Sequence, residues 1–227
     1  PKLRRGGALT MPPRVETGRR EPSLLRAEDL LAPESFERLR PRLRPAIAGL
    51  RAARRCRIRD DLTISFENRE TVLWHVHEVL RIEGRTTAHQ IDEEVRRYDC
   101  LVPRAGELRA TLMVDGGDRD ASDRLSRLVA SRSGVLSLVV GDKHALADCV
   151  EPEPWIDSPI RYVRFSVSSQ GIEPLDFLTH AVSLRLHVPV QTSTAVPSAV
   201  REALATDLNV NALLEQEVAY SQQEAAE

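Results

Sequence analysis

Long apolar runs, cysteine and aromatic side chains are all scarce in this chain of 227 residues. No stretch approaches the roughly 18–20 consecutive apolar residues that a membrane-spanning helix needs, so we expect no membrane span. The first twenty residues are rich in Arg and Pro and lack the apolar segment of a secretory signal peptide. The three cysteines are widely spaced and odd in number, which supports neither a disulfide framework nor a Cys-x-x-Cys metal site. These absences predict a cytoplasmic protein.

The chain also lacks the short motifs that identify several enzyme classes. Gly116 and Gly117 stand together without the following Lys-Ser/Thr of a phosphate-binding loop. Neither a Gly-x-Ser-x-Gly elbow nor a His-Glu-x-x-His pair is present. The sequence therefore does not identify a reaction, and it leaves open whether the protein is an enzyme.

Composition predicts a folded domain with an uneven charge distribution. Hydrophobic residues make up 41% of the chain and aromatic residues only 4%, so the core must consist mainly of Leu, Val, Ala and Ile. Residues 1–60 carry 16 Lys and Arg against 7 Asp and Glu, a net charge of +9. Residues 61–227 carry 16 against 27, a net charge of −11. Only two of the 32 cations are Lys, a bias that commonly reflects genomic base composition, so we do not expect a nucleic-acid partner.

The most informative stretch is residues 62–83, where a strand pattern changes into a helix pattern. Leu62, Ile64 and Phe66 alternate with Thr and Ser, which is typical of a half-buried strand. Asn68 is a good helix N-cap, because its side-chain oxygen can accept a backbone N–H of the first turn. Apolar residues then recur at helical spacing along one stripe: Val72, Leu73, Val76, Val79 and Leu80.

This stripe is the strongest in the chain and predicts how the domain is organised. We expect the helix over residues 68–83 to pack against a sheet that includes Leu112 and Phe165. The side chains expected at that contact are Val72, Val76, Val79 and Leu80.

The rest of the chain predicts an α+β domain, with a mostly antiparallel sheet and amphipathic helices packed on one face. We expect a disordered basic arm over 1–23, a single domain over 24–208, and a loose helix or tail over 209–227. Strands are predicted over 108–114, 135–140, 161–167 and 182–188, and helices after Thr87, after Asp118 or Asp120, and after Pro197. Because Pro41 and Pro45 each remove a backbone donor, residues 24–55 should form two short helices or one kinked helix.

Polar side chains are concentrated around the start and flanks of the central helix. They are Glu67, Asn68, Arg69, Glu70, Glu78, Arg81 and Glu83. Such a cluster could bind a hard cation or supply an acid–base pair. It could equally be an ion-pair network that fixes the orientation of the helix. The sequence leaves both interpretations open.

The same helix carries one candidate pair of metal ligands. His75 and Glu78 are three residues apart and share a face, so they could bind iron or zinc. His187, or His144 in an expected turn, would complete the site. His77 is rotated by about 200° from His75 on a helix and should lie outside it.

Three segments carry a resemblance to a known family: RRCRIRDDLTISFENRETVLWHVHEVLRIEG at 54–84, ELRATLMV at 107–114 and IRYVRFSV at 160–167. They resemble a bacterial domain-of-unknown-function family over roughly residues 30–208. Its members are often encoded beside a rubrerythrin-like diiron protein and an iron–sulfur oxidoreductase. The polar residues given above for the central helix correspond to the family's recurrent ones. This chain departs from the family at His75 and His77, where the family has glutamine-like residues.

The resemblance implies a function through a partner. We expect an accessory protein that acts with an iron-dependent redox system and binds a rubrerythrin-like or iron–sulfur protein. The alternative is a metal-dependent enzyme that uses the site of His75, Glu78 and His187. Homo-oligomerisation is compatible with either.

Overall fold

The computed structural model describes residues 23–114, 127, 134–150, 160–188 and 191–224. The helices in this part are Pro33–Ala52 (α1), Arg69–Glu83 (α2), Ala88–Tyr98 (α3), Asp176–Thr179 (α4) and Ser198–Glu224 (α5). The strands are Arg55–Arg59 (β1), Leu62–Glu67 (β2), Glu107–Val114 (β3), Leu136–Val140 (β4), Lys143–Cys149 (β5), Ile160–Ser166 (β6), Val182–Leu186 (β7) and Thr192–Ala195 (β8). Short 3-10 turns occupy Ala27–Asp29, Asp99–Leu101 and Ser168–Gln170.

The eight strands form one curved sheet. Their order is β1-β2-β3-β6-β5-β4-β7-β8, and every neighbouring pair is antiparallel. The two edge strands approach each other, since the Thr194 hydroxyl on β8 donates a hydrogen bond to the Ile58 carbonyl on β1 (2.9 Å). The sheet is therefore nearly a closed barrel. The predicted α+β class with a mostly antiparallel sheet is confirmed.

The main core lies on the inner face of the sheet. Phe66, Leu112, Phe165 and Leu184 come from four different strands and are fully buried there. Helix α5 contributes its own apolar stripe to the same cluster, through Val200, Leu204, Ala205 and Leu208. Each such side chain stabilises the fold by about 1.5–3 kcal/mol when it is fully removed from water. The helix predicted after Pro197 thus supplies the apolar stripe that covers the inner face of the sheet.

Helix α2 lies on the opposite, outer face. Its buried residues Val72, Val76 and Leu80 form a second cluster with Leu24 and Leu25 of the N-terminal segment, Val95 and Tyr98 of α3, and Leu101 and Val102. Val79 is partly buried in this cluster, as is Tyr162 of β6. The predicted contact of α2 with Leu112 and Phe165 is wrong. Side chains alternate between the two faces of a strand, and these two point to the face that α5 covers.

The local signals at the ends of the helices are confirmed. The Asn68 side-chain oxygen accepts the Thr71 N–H, and the Thr71 hydroxyl oxygen accepts the Asn68 N–H, both at 3.0 Å. Gly84 ends α2 with a left-handed backbone (φ 64°), a conformation that favours glycine. Thr87 and Gln90 form a capping box at the start of α3, the helix predicted after Thr87.

Several elements differ from the prediction. Strands β1, β5 and β8 were not predicted, and His144 lies within β5 rather than in a turn. Of the two alternatives predicted for residues 24–55, a single helix is observed: α1 is one element that contains Pro41 and Pro45. Both prolines are exposed, so water can bind the carbonyl groups that their rings leave without an N–H donor. Helix α5 continues through 209–224, so the described part of this segment is helical, one of the two alternatives predicted for it.

Two predicted segments lie outside the described residues: nearly all of the N-terminal arm, and the helix expected after Asp118 or Asp120. Across the part of the chain that the structure describes, no helix combines the length and apolar character needed to cross a membrane.

Candidate functional site

Most of the predicted binding residues on α2 are engaged in ion pairs or caps. Arg69 pairs with Asp29 (Nη2–Oδ1, 2.7 Å) and Glu83 with Arg85 (Oε2–Nε, 2.7 Å). Asn68 caps the helix, and Glu70 is exposed in its first turn. Arg69 and Glu83 thus take part in ion pairs, and Asn68 serves the helix N-terminus.

Glu78 is held between two arginines. Its carboxylate accepts two hydrogen bonds from Arg40 of α1 (2.6 and 3.2 Å) and two from Arg81 (3.1 and 3.0 Å). Burial would raise the pKa of Glu78, but the hydrogen bonds from Arg40 and Arg81 outweigh burial and hold that pKa below its usual value. Glu78 thus ties α1 to α2.

The fold does not bring the proposed metal ligands together. His187 follows β7 and lies 3.0 Å from the Ser137 hydroxyl through its Nε2 atom. His75 packs edge-on against Tyr98, with 4.7 Å between the ring centroids. His144, the alternative third ligand, is exposed on β5. Among the described residues, no group of three or more His, Cys, Asp or Glu side chains is arranged to hold a metal ion.

His75 and His77 point away from each other, as helical geometry predicts. His77 stacks on Phe36 of α1 with 4.3 Å between ring centroids and an interplanar angle of 7°. Its Nε2 atom accepts the backbone N–H of Leu31 (3.3 Å). Burial is the main cause that lowers the pKa of both histidines. Both are therefore neutral imidazoles in the folded protein at neutral pH.

We expect the free energy of unfolding to fall as the pH is lowered from 7 to 5. Burial lowers the pKa of His75 and His77 in the folded state, so in this range the unfolded chain binds more protons and stability rises with pH. Urea denaturation at several pH values measures the slope. The double variant His75→Gln/His77→Gln should flatten it, whereas the exposed His89→Gln should leave it unchanged. Equal slopes in wild type and double variant would contradict the assignment.

A cavity of about 210 Å³ lies between α2 and the outer face of the sheet. Its walls come from the end of α1, the start of β1, and β2, α2, β3 and β6. The cavity exists because α2 covers a sheet face that carries polar residues, among them Ser65, Glu67 and Thr111. Polar side chains on a sheet pack less closely against an apolar helix stripe than apolar side chains do. Space therefore remains between α2 and the sheet.

Two predicted site residues, Glu67 and His75, line this cavity. Thr111 of β3 donates its hydroxyl to Glu67 Oε1 (2.5 Å), and Thr71 of α2 donates its hydroxyl to Oε2 (2.6 Å). The carboxylate is therefore fixed between the strand and the first turn of the helix. Each oxygen retains capacity for a further donor, because an ionised carboxylate has about four lone-pair positions.

Two arginines form another wall of the cavity. Arg51 is half-buried at the end of α1, and Arg55 is exposed at the start of β1. Both also line a neighbouring depression beside Arg40 and Arg44. The side chains of Arg51 and Arg55 form no ion pair or hydrogen bond with a described residue. The His75 ring likewise forms no hydrogen bond with a described residue.

Sequence reasoning identified Glu67 and His75 but missed Arg51, Arg55, Thr111 and Tyr162 as cavity residues. Arg55, Thr111 and Tyr162 lie in the segments that carry the resemblance, but none of the four is among its recurrent polar residues, and the four come from separate elements. One signal was available: Ser65 and Glu67 lie on the face of β2 opposite to its buried apolar residues, and Thr111 pairs with Ser65 across the ladder. Polar residues at such positions indicate either a solvent-facing sheet or a lined cavity.

Comparisons with known proteins give a fold and a family. The crystal structure of a protein of unknown function from Burkholderia pseudomallei is similar, with a TM-score of 0.71 and 21% sequence identity. The likeness covers 82% of this chain and 99% of that one, and at this identity it shows a shared fold. No curated protein matches the chain. The model of a family described as "Protein of unknown function (DUF3501)" matches residues 24–208, and the chain belongs to this family.

Proposed function

We propose that this protein is an accessory protein that binds a partner in an iron-dependent redox system, either a rubrerythrin-like or an iron–sulfur protein. The resemblance of residues 54–84, 107–114 and 160–167 to a family often encoded beside such proteins supports the redox assignment. An apolar groove at the C-terminal end of α2 is the observation that supports partner binding.

The groove has a volume of about 400 Å³ and lies between the segment before α1 and the end of α2. Its apolar wall includes Leu30, Leu31, Phe36, Leu80 and Ile91. Leu31 is 40% exposed there. An apolar surface of this kind offers a place for one or two apolar side chains of a second protein.

Charged residues surround the apolar wall of the groove. Glu37 of α1, Arg81 of α2 and Arg85 lie at its border. Arg81 is in contact with Glu37 (Nε–Oε1, 3.9 Å), and Arg85 is paired with Glu83. An apolar centre with a polar border is the usual anatomy of a protein interface. Because this border carries charges of both signs, it favours a partner with a mixed polar rim around an apolar anchor.

Coexpression with the rubrerythrin-like and iron–sulfur proteins tests the proposal. Affinity capture of the wild-type chain at moderate salt should retain one of them. Leu31→Asp should weaken the retained complex at least tenfold, because the groove would have to bury a carboxylate against an apolar anchor.

Leu175→Asp is the matched control, since Leu175 is 65% exposed and lies outside the groove. It should leave capture unchanged. Failure of the wild-type chain to retain either protein would refute the redox assignment. Equal effects of the two variants would refute the groove as the interface.

A further inference from the structure

We propose that the cavity beneath α2 binds a small hydroxylated organic anion, a carboxylate or a phosphate ester. Arg51 and Arg55, the arginine wall, would hold the anionic group. Glu67 and His75, the polar wall, would hold a hydroxyl group of the same molecule. Both walls line the one cavity of about 210 Å³.

The arginine wall differs from three nearby arginines that are paired with carboxylates. Arg40 is bound by Glu78, Arg54 by Asp207 and Arg59 by Asp61. Arg51 and Arg55, by contrast, have no carboxylate partner among the described residues. A guanidinium group presents a planar fork of N–H donors that matches the oxygens of a carboxylate or phosphate. Two such groups beside a cavity therefore favour an anionic ligand.

The cavity also contains a negative charge, which makes the expected ligand more specific. Arg51 and Arg55 contribute two positive charges and Glu67 one negative charge, so the three together carry +1. A simple dianion without donors would be repelled by Glu67. A ligand can avoid this repulsion if its anionic group binds the arginine wall and a hydroxyl group donates a hydrogen bond to Glu67.

The polar wall is arranged to recognise that hydroxyl group. Thr71 and Thr111 fix the carboxylate of Glu67 and leave it further acceptor capacity. The His75 ring forms no hydrogen bond with any described residue, so both ring nitrogens are available to a ligand. A hydroxyl group can donate to Glu67 and exchange a second hydrogen bond with His75. One ligand group would thus satisfy two side chains.

The size of the cavity limits the ligand. A volume of about 210 Å³ exceeds the ~150 Å³ that accommodates benzene in an engineered apolar cavity. It is below the ~300 Å³ at which drug-sized pockets begin. Val72, Leu101 and Met113 form an apolar part of the lining. A molecule of roughly ten non-hydrogen atoms fits, whereas a nucleotide does not.

Four small molecules test the site on the full-length chain. Two are anionic probes that combine an anionic group with hydroxyl groups, and two are partial probes that lack one of these features. Glycerol 3-phosphate and glycerate each carry an anionic group and carbon-bound hydroxyl groups. Inorganic phosphate has no carbon-bound hydroxyl group, and glycerol has no anionic group. NMR of the His75 ring protons, assigned with His75→Gln, reports binding. At least one anionic probe should shift this resonance saturably and bind at least tenfold more tightly than either partial probe. The difference between the two anionic probes tells a phosphate ester from a carboxylate.

Variants of the arginine wall decide whether the cavity is responsible. Arg51→Gln and Arg55→Gln should each weaken the bound probe at least tenfold, and Glu67→Gln should remove the preference for the hydroxylated probe. Arg57→Gln is the matched control, because Arg57 is an exposed arginine of β1 that does not line the cavity. Melting curves of all four variants verify folding.

Three results would overturn the proposal. The first is the absence of a saturable His75 shift with both anionic probes. The second is an equal loss of affinity in Arg57→Gln and Arg51→Gln. The third is a folded Glu67→Gln variant that still prefers glycerol 3-phosphate to inorganic phosphate by the wild-type ratio.

Discussion

Replacing Val76 with Asp should lower the free energy of unfolding by about 3–5 kcal/mol. Val76 has 0% exposure at the centre of the cluster between α2, α3 and the N-terminal segment. The variant loses the burial of an apolar side chain and places a carboxylate among Val72, Val95 and Tyr98. The Asp must then be protonated or hydrated, and either change costs stability. Urea denaturation followed by circular dichroism measures the loss.

Glu70→Ala is the control on the same helix. Glu70 is exposed in the first turn, where it interacts favourably with the helix dipole, so its removal should cost less than about 1 kcal/mol. If Val76→Asp has the same midpoint of urea denaturation as the wild-type protein, α2 does not organise this cluster. A large loss in Glu70→Ala would instead mean that its long-range attraction to Arg54 matters for folding.

Replacing Arg54 with Ala should destabilise the protein by about 3–5 kcal/mol, the usual cost of leaving a buried charge without its partner. Arg54 is 6% exposed and Asp207 of α5 is 5% exposed. They form two hydrogen bonds of 2.8 Å, Nε to Oδ2 and Nη2 to Oδ1. Burial is the main cause that raises the pKa of Asp207, and Arg54 opposes it, so loss of Arg54 should raise that pKa further. Urea denaturation at pH 7 measures the effect.

Two comparisons establish that the loss comes from an isolated charge. The double variant Arg54→Met/Asp207→Leu should regain most of the stability, because an apolar pair of similar size removes both charges from the interior. Arg59→Ala, which breaks the partly exposed pair with Asp61, should cost less than about 1 kcal/mol. Equal losses in Arg54→Ala and Arg59→Ala would show that burial adds nothing to the first pair.

The fold was predictable where the signal is local. The alternation of β2, the Asn68 cap and the capping box of Thr87 all depend on residues close in the chain. Strand β8 escaped prediction because its sequence, TSTA, consists of small and polar residues. Strand β1, RCRIR, alternates arginines with the buried residues Cys56 and Ile58, but this alternation contains only two apolar residues. Both segments are strands because tertiary pairing with β2 and β7 satisfies their backbone groups.

The assignment of helices to sheet faces could not be read from the sequence. Helices α2 and α5 both carry an apolar stripe, but the sheet has only one strongly apolar face, and α5 takes it. Glu67 was identifiable as a site residue because it belongs to the motif of the central stretch. Arg51 and Thr111 could not be identified in this way. Helix α1 and strand β3 are far apart in the sequence and border the same cavity only in the folded structure.

The near closure of the sheet restricts how this protein can recognise others. Many complexes form when an extended segment of one protein adds itself as a strand to an open sheet edge of another. Here the edges of β1 and β8 face each other, and the hydrogen bond from Thr194 to Ile58 occupies the gap between them. Strand donation by a guest peptide, and the fibrillar stacking that uses the same backbone groups, would first require this gap to open. Recognition through the helical side of the molecule avoids that cost.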